Sequence, residues 1–310
     1  MTLDKVPSNV NESLEDKLEK TPITLLPLKS TYTVDELREI VPEGKIIVCD
    51  FYVKGIEEGE EIEFGYTKEG IVNIDHHAPG EFMARQISSA NLAIKFVEEN
   101  GPAHPEDTVI VHHTDCDSVL SSSIVRGILS PDKKYGEAAI AADHTGASNK
   151  IADLLQSLEE KRDLFFSLSN LDKLNKGEPL DTDAEMLLNK RYQNRIKAAE
   201  LIKEGKFEKV GNVYFTSVDE RFDAGMLPAL LPEAEIIVIG SPMKDNPEMW
   251  GISVRLGLAA PEGWTLDDFK LPDFGGRWNA GNTRRHGGTK YNAKEYATII
   301  NEQISDLQSG

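Results

Sequence analysis

Two cysteines, Cys49 and Cys116, are all that a chain of 310 residues contains. Two thiols cannot build a disulfide framework, and a cytosolic chain keeps them reduced. Each stands immediately before an aspartate, and small apolar filler at a strand end accounts for both. Long apolar runs are missing too. None approaches the roughly 20 residues of a membrane span, and the first residues carry no signal-peptide core. A soluble, cytoplasmic protein is expected. Positive charge is scarce: Lys+Arg is 34 against Asp+Glu 53, a formal net charge of −19. Such a surface repels duplex DNA and anionic membranes, so neither is expected as a partner. A small anionic substrate fits, because a local cluster of cations overrides the mean field.

What the chain does have is a hydrophobic fraction of 39%, enough for real cores, in a length that suits two ordinary domains or one large one. Residues 1–20 are polar and charged and read as a mobile arm. From 21 to 150, apolar strands (Lys45–Asp50, Gly70–Asp75, Thr108–His112) alternate with helical patterns (Thr33–Val41, Ser88–Asn100, Val119–Leu129, Tyr135–Ala142), with a loop or hairpin over Gly55–Gly70. Apolar strands without alternation imply a parallel sheet covered by helices on both faces, a Rossmann-like α/β domain. Residues 151–206 turn helical and charged and read as a linker. From 207 to 310 a second, smaller α/β domain is expected, with strands in VGNVYFTSV, AEIIVIGS and WGISVRLG, a glycine-rich FGGRWNAGNTRRHGGT and a closing helix over Tyr291–Leu307. There is no internal repeat.

The ionisable groups gather at the strand ends. Asp50 closes the first apolar strand. Asp75, His76 and His77 follow the second. The third runs into VIVHHTDCDSVLSSS, with His112, His113, Asp115 and Asp117, and Asp143-His144 ends a helix. Ligands in such sheets sit beyond the carboxyl ends of the strands. Burying several carboxylates together is costly unless a cation neutralises them. Carboxylates with imidazoles suit Mn²⁺, and also Zn²⁺, Fe²⁺ or Co²⁺, whereas Mg²⁺ prefers oxygen alone. So many acidic groups can hold two ions with one carboxylate bridging. Residues i and i+2 at a strand end point the same way, so Asp115 and Asp117 can address adjacent ions. His113 shares their parity, which favours it over His112. Serines 121–123 pack a helix start, and no base–nucleophile–orienter pattern marks a serine nucleophile.

These motifs together resemble the DHH phosphoesterase superfamily: Asp75-His76-His77 after an apolar strand, His113-Thr-Asp115-Cys-Asp117-Ser before a helix, and Ala141-Ala-Asp143-His-Thr-Gly146 ending one. The resemblance implies metal sites at Asp50, His76, His113, Asp115, Asp117 and Asp143, with Asp50 bridging. His77 would lie beside the substrate phosphate, and Asp75 would orient His76. The order departs from the family, since Asp50 and the DHH triplet precede the Asp-x-Asp segment, as if the first unit were permuted. Val111 stands where some members have a histidine, and His113 can substitute. Gly275-Gly276-Arg277-Trp278-Asn279-Ala280-Gly281 is similar to the glycine loop of the DHH-associated domain, with Arg277 at its histidine. Gly275, Gly276, Arg277 and Asn279, with the cationic Arg284, Arg285 and His286, are the expected substrate contacts, and Arg255 points to the same cleft.

The resemblance implies a phosphoesterase using two Mn²⁺ ions, with Mg²⁺ or Co²⁺ as substitutes. It would hydrolyse short oligonucleotides, dinucleotides or related small phosphate esters through an activated water in the interdomain cleft. A homodimer fits as well. Two alternatives stand beside it: a pyrophosphatase or polyphosphatase, which Trp278 disfavours if it stacks on a base, and a non-enzymatic metal- or nucleotide-binding sensor.

Overall fold

A computed structural model of the chain describes residues 13–78, 80, 82–219 and 223–309. In the first half the strands are β1 (Ile23–Leu25), β2 (Tyr32–Thr33), β3 (Ile46–Cys49), β4 (Val53–Lys54), β5 (Glu60–Ile62), β6 (Gly65–Lys68), β7 (Ile71–Ile74) and β8 (Thr108–Val111). β2 and β4 form a short separate ribbon, and the other six make one sheet in the order β1-β8-β3-β7-β6-β5. β1, β8, β3 and β7 are parallel, and β6 and β5 complete the edge as an antiparallel hairpin. β8, β3 and β7, which lead into the ionisable segments, therefore lie side by side.

Every residue of β3 and β7 is buried, and successive side chains enter different cores. Ile47, Cys49, Val72, Ile74, Val109 and Val111 face one core with residues of the helices α3 (Ser89–Asn100), α4 (Cys116–Val125) and α5 (Lys133–Ile140). Ile46, Val48, Ile71 and Ile110 face the other, packed with Val34 and Leu37 of the helix Val34–Ile40. That two-sided burial is why these strands are apolar throughout. The architecture is mixed α/β, as the alternation implies.

Of the arm expected over 1–20, residues 1–12 lie outside the described residues. Leu14–Lys20 is a helix capped by Ser13, with Leu14 and Leu18 on the first core. Residues 151–206 are helical and packed. Lys150–Leu158 and Leu164–Lys176 put Ala152, Leu155, Leu168 and Leu171 into the first core. In Thr182–Lys203, Ala184 meets Leu154 and Leu158, whereas Ala198 joins Met226, Leu227, Ile237 and Ile239 of the second half.

The second sheet contains β9 (Glu208–Val210), β10 (Val213–Ser217), β11 (Ile236–Pro242), β12 (Trp250–Leu256), β13 (Gly275–Arg277) and β14 (Ala280–Asn282), in the order β13-β14-β12-β11-β10-β9. Only β10 and β11 are parallel among these pairs. The closing helix Ala293–Ser309 buries Tyr296, Ala297 and Ile300 against it. The two halves touch closely. Gly146 has φ +66°, and a Cβ there would lie 2.2 Å from the Gly225 carbonyl oxygen. Arg85 of the first half donates to the carbonyls of Gly257 at 2.9 Å and Leu258 at 3.3 Å. No helix among the described residues is long and apolar enough to cross a membrane.

Candidate metal centre

The carboxyl ends of β3, β7 and β8 deliver Asp50, the Asp75–His77 turn and the His112–Asp115 turn to one edge of the first sheet. Asp115 N-caps α4, accepting the Ser118 N–H at 3.1 Å, and this cap aims the following turn at the cluster. The helix expected over Tyr135–Ala142 ends as α5 at Ile140 and widens into a π turn, Ala141–Thr145, which carries Asp143. Such wide turns recur at functional sites because they re-aim one side chain.

Two donor sets form. Asp50, His76, His77 and Asp143 each place one donor atom within 4.8 Å of the others, and so do Asp50, His113 and Asp115. Asp50 is common to both, and its two oxygens divide between them. Oδ1 lies 3.8 Å from His76 Nε2 and 3.8 Å from His77 Nδ1, whereas Oδ2 lies 3.1 Å from His113 Nε2. His113 Nε2 is also 3.2 Å from Asp115 Oδ2, and His76 Nε2 is 3.3 Å from Asp143 Oδ2. Asp50 is held by two hydroxyls, Ser118 Oγ at 2.6 Å and Ser89 Oγ at 3.0 Å.

The remaining expected residues sit as follows. Asp117 lies 3.6 Å from His76 Nε2, and its two oxygens accept the N–H groups of Ser89 and Ala90 at 2.7 and 2.6 Å. It thus anchors the start of α3 as well as facing the cluster. Asp75 orients His77 rather than His76: Asp75 Oδ1 is 2.6 Å from His77 Nδ1. Arg277 Nη1 reaches His77 Nε2 at 2.7 Å from the second domain. A guanidinium only donates, so Nε2 accepts and His77 carries its proton on Nδ1, toward Asp75. His112 Nδ1 lies 2.6 Å from His113 Nδ1, which leaves His113 Nε2 facing the carboxylates.

Burial pushes the Asp115 carboxyl up, but His113 and Arg277 outweigh it and hold the group well below the usual carboxylate range. Burial depresses His113, yet Asp115 and Asp50 bring it well above an ordinary imidazole. Asp117 is pushed well up by burial and by the charges of Asp50, Asp143 and Asp115. The His112 imidazole falls to about 3 through burial and its neighbour His113. Burial pushes both cysteine thiols up, as inert filler requires.

The donor set tests well against a cation. His76 Nδ1 and Nε2, His113 Nε2, Asp75 Oδ2 and Asp143 Oδ2 are buried without a hydrogen-bond partner. Buried polar atoms are seldom left so, and mixed imidazole and carboxylate donors around shared points suit divalent transition metals.

The second domain meets this cluster through the GGRWNAG segment, a hairpin in which Arg277 pairs with Ala280. Gly276 is required by close strand approach, since a Cβ there would lie 2.3 Å from Gly281 Cα. Arg277 also lies 3.5 Å from Asp143 Oδ2 and 3.7 Å from Asp115 Oδ2. Asn279 Nδ2 donates to the Asp143 carbonyl at 3.3 Å, alongside Arg255 Nη1 at 2.9 Å. Trp278 is 4% exposed and packs in the second core, so it offers no face to a base. Arg284 donates to Ser253 and Ser241, His286 leans over Gly275, and Arg285 and His286 are exposed. Ser89, Ser118, Asn73 and the carbonyl-binding role of Arg255 escape the sequence reading. A polar residue inside an apolar strand, as in Ile71–Ile74, is the one signal that was there to be used.

No family model matches the chain, and no curated protein matches it. Among solved structures it is similar to the pGpG-specific phosphodiesterase PggH from Vibrio cholrae. The identity is 9% and the TM-score 0.42, over 86% of this chain and 99% of that one.

Proposed function

We propose that the protein is a two-ion, metal-dependent phosphoesterase of the DHH type, hydrolysing phosphodiester bonds in short oligonucleotides, dinucleotides or similar small phosphate esters. The observation that carries this reading is the pair of donor sets sharing Asp50, one oxygen to each. Asp50, His113 and Asp115 would hold one ion, and Asp50, His76 and Asp143 the other, with Asp117 beside His76. The mixed donors suit Mn²⁺, as they do Zn²⁺, Fe²⁺ or Co²⁺, and Mn²⁺ is the ion that the DHH resemblance favours. When bound, such a pair supplies Lewis acidity and a water acidic enough to attack phosphorus at neutral pH.

The chain's own residues do the rest. Arg277 and His77 meet each other across the two domains beside the carboxylates, where Arg277 would neutralise charge that grows on the phosphoryl oxygens. Asp75 fixes the His77 tautomer, so that Nε2 presents a lone pair in the resting state, occupied by Arg277. Arg277 must let go of Nε2 as it takes up phosphate, which frees that nitrogen to accept a proton. The test is Mn²⁺-dependent release of nucleotides from dinucleotides by purified protein, with Asp50→Asn as the inactive control. Turnover that survives complete removal of divalent metal would refute the proposal. Pyrophosphate or polyphosphate hydrolysis is the second reading, favoured by the burial of Trp278, and the same assay separates it by phosphate release without a nucleotide.

A further inference from the structure

Asn73 sits in the middle of β7, with the residue 1% exposed. A buried amide in an apolar strand is costly unless its polar atoms are matched. Its partners are not in β7. Oδ1 accepts the Val53 N–H at 3.1 Å, and Nδ2 donates to the Phe51 carbonyl at 2.9 Å. Both groups belong to the turn directly after Asp50. On the near side, the Asp50 N–H donates to the Ile74 carbonyl at 3.0 Å. The chain around Asp50 is therefore tied to β7 before and after the residue.

The tie matters because Asp50 has φ +60°. That left-handed backbone is uncommon for a residue with a Cβ, though aspartate tolerates it better than most. It breaks the direction of β3 at residue 50 and sends the carboxylate between His76 and His113. Such conformations persist when the surroundings over-determine them. The side chain of Asn73 grips residues 51–53 from β7 with two hydrogen bonds, beside the pairing of Val53 with Tyr32.

Resting on the two-ion reading above, we propose that Asn73 is a positioning residue for the metal pair: its amide holds the turn that places the Asp50 carboxylate between the two ions. Asn73 touches neither ion nor substrate. Without it, the Phe51 carbonyl and the Val53 N–H lose their partners, the turn relaxes toward negative φ, and the shared carboxylate leaves its place.

The experiment compares wild type, Asn73→Leu and Thr283→Val by manganese calorimetry, by electron paramagnetic resonance and by thermal unfolding. Thr283 is a buried residue in the second domain whose hydroxyl accepts the Ile252 N–H at 3.0 Å and donates to the Trp250 carbonyl at 3.1 Å, so its variant also loses two hydrogen bonds. Wild type should bind two Mn²⁺ with an exchange-coupled signal. Asn73→Leu should bind them about 10–100-fold more weakly, the range for lost outer partners of metal ligands, and show uncoupled Mn²⁺. Thr283→Val should keep affinity and coupling. If Asn73→Leu fails to fold, Asn73→Ser, too short to span both partners, should show the same loss. A folded Asn73 variant with wild-type affinity and a coupled pair overturns the assignment alone. Wild-type protein that binds no pair overturns the two-ion reading and this inference with it.

Discussion

The two sides of the centre are assembled in different ways. His113 and Asp115 belong to a single turn between β8 and α4, fixed by the Asp115 cap and by the contact of His112 with His113, all within the first domain. Asp143 sits in a π turn whose backbone is gripped from outside: Arg255 and Asn279 of the second domain both donate to its carbonyl. His144, next to it, bonds the Ile87 carbonyl through Nε2 at 2.8 Å and meets Asn279 through Nδ1 at 3.1 Å. The backbone of one side is set by its own domain and that of the other is gripped from the second, while Arg277 reaches the carboxylates of both. On the two-ion reading, ion affinity on the Asp143 side should therefore be linked more strongly to interdomain contact than that on the His113 side, where the second domain reaches Asp115 through Arg277.

The largest effect should come from the residue the two sides share. Asp50→Asn keeps a side chain that tolerates the left-handed backbone and removes the charge that both ions would share on the two-ion reading. Metal analysis should find neither ion retained, and hydrolysis should fall by at least about 10²-fold, the scale for losing one preorganised electrostatic contact. Retention of one ion at wild-type affinity would mean that the sides do not share Asp50.

Splitting the sides gives the next effect. Arg255→Gln with Asn279→Ser should weaken one ion by about 10–100-fold and leave the other, and His112→Phe should do the mirror image. Two-site calorimetry reads both. Equal weakening of both ions in either variant would abolish the distinction between the sides.

Proton linkage sharpens the contrast. In the metal-free protein His113 has a folded pKa well above its unfolded value near 6.5. The stability it contributes is complete below about pH 6.5 and is lost as pH rises through the folded pKa. An ion at Nε2 displaces the same proton, so Mn²⁺ affinity should climb with pH, by up to about tenfold per unit. His76 is also raised, against its burial, by Asp143 and Asp50, so affinity on that side should climb with pH as well. His112 works in the opposite sense: with a folded pKa of about 3, the stability linked to it is present above about pH 6.5 and fades as pH falls toward 3. Calorimetry in buffers of different ionisation enthalpy counts the protons released. Affinity independent of pH from 5 to 9 would contradict this assignment.

Much of this was legible beforehand. Apolar runs buried on both faces gave the parallel strands, and the expectation that their ends carry the chemistry named Asp50, His76, His113, Asp115 and Asp143, whose side chains the fold brings within reach of one another. The unread features are those where side chains cross between segments distant in sequence. Nothing local reveals that Asn73 clamps residues 51–53 or that Asp117 takes two N–H groups from α3, whereas the Asp75–His77 contact is local, between residues two apart in one turn. Trp278 looked like a stacking platform because it lies in a glycine loop, but the hairpin turns it into the second core.

The smallest effect concerns the second domain's own two regions. Arg277 enters the cluster, whereas Arg285 is exposed and its neighbour Arg284 is engaged by Ser241 and Ser253. If Arg285 contributes to catalysis, it does so as a surface charge that draws an anion toward the cleft, an effect screened within about 10 Å at 0.1 M salt. Arg285→Ser should therefore raise KM by no more than about threefold at low ionic strength, with kcat unchanged, and the difference should vanish at high salt. Arg277→Ser should lower kcat at every salt concentration, because its partners His77, Asp115 and Asp143 are buried or nearly so and screened far less. A salt-independent loss of kcat in Arg285→Ser would place that arginine in the same class as Arg277 and erase the boundary between steering and contact.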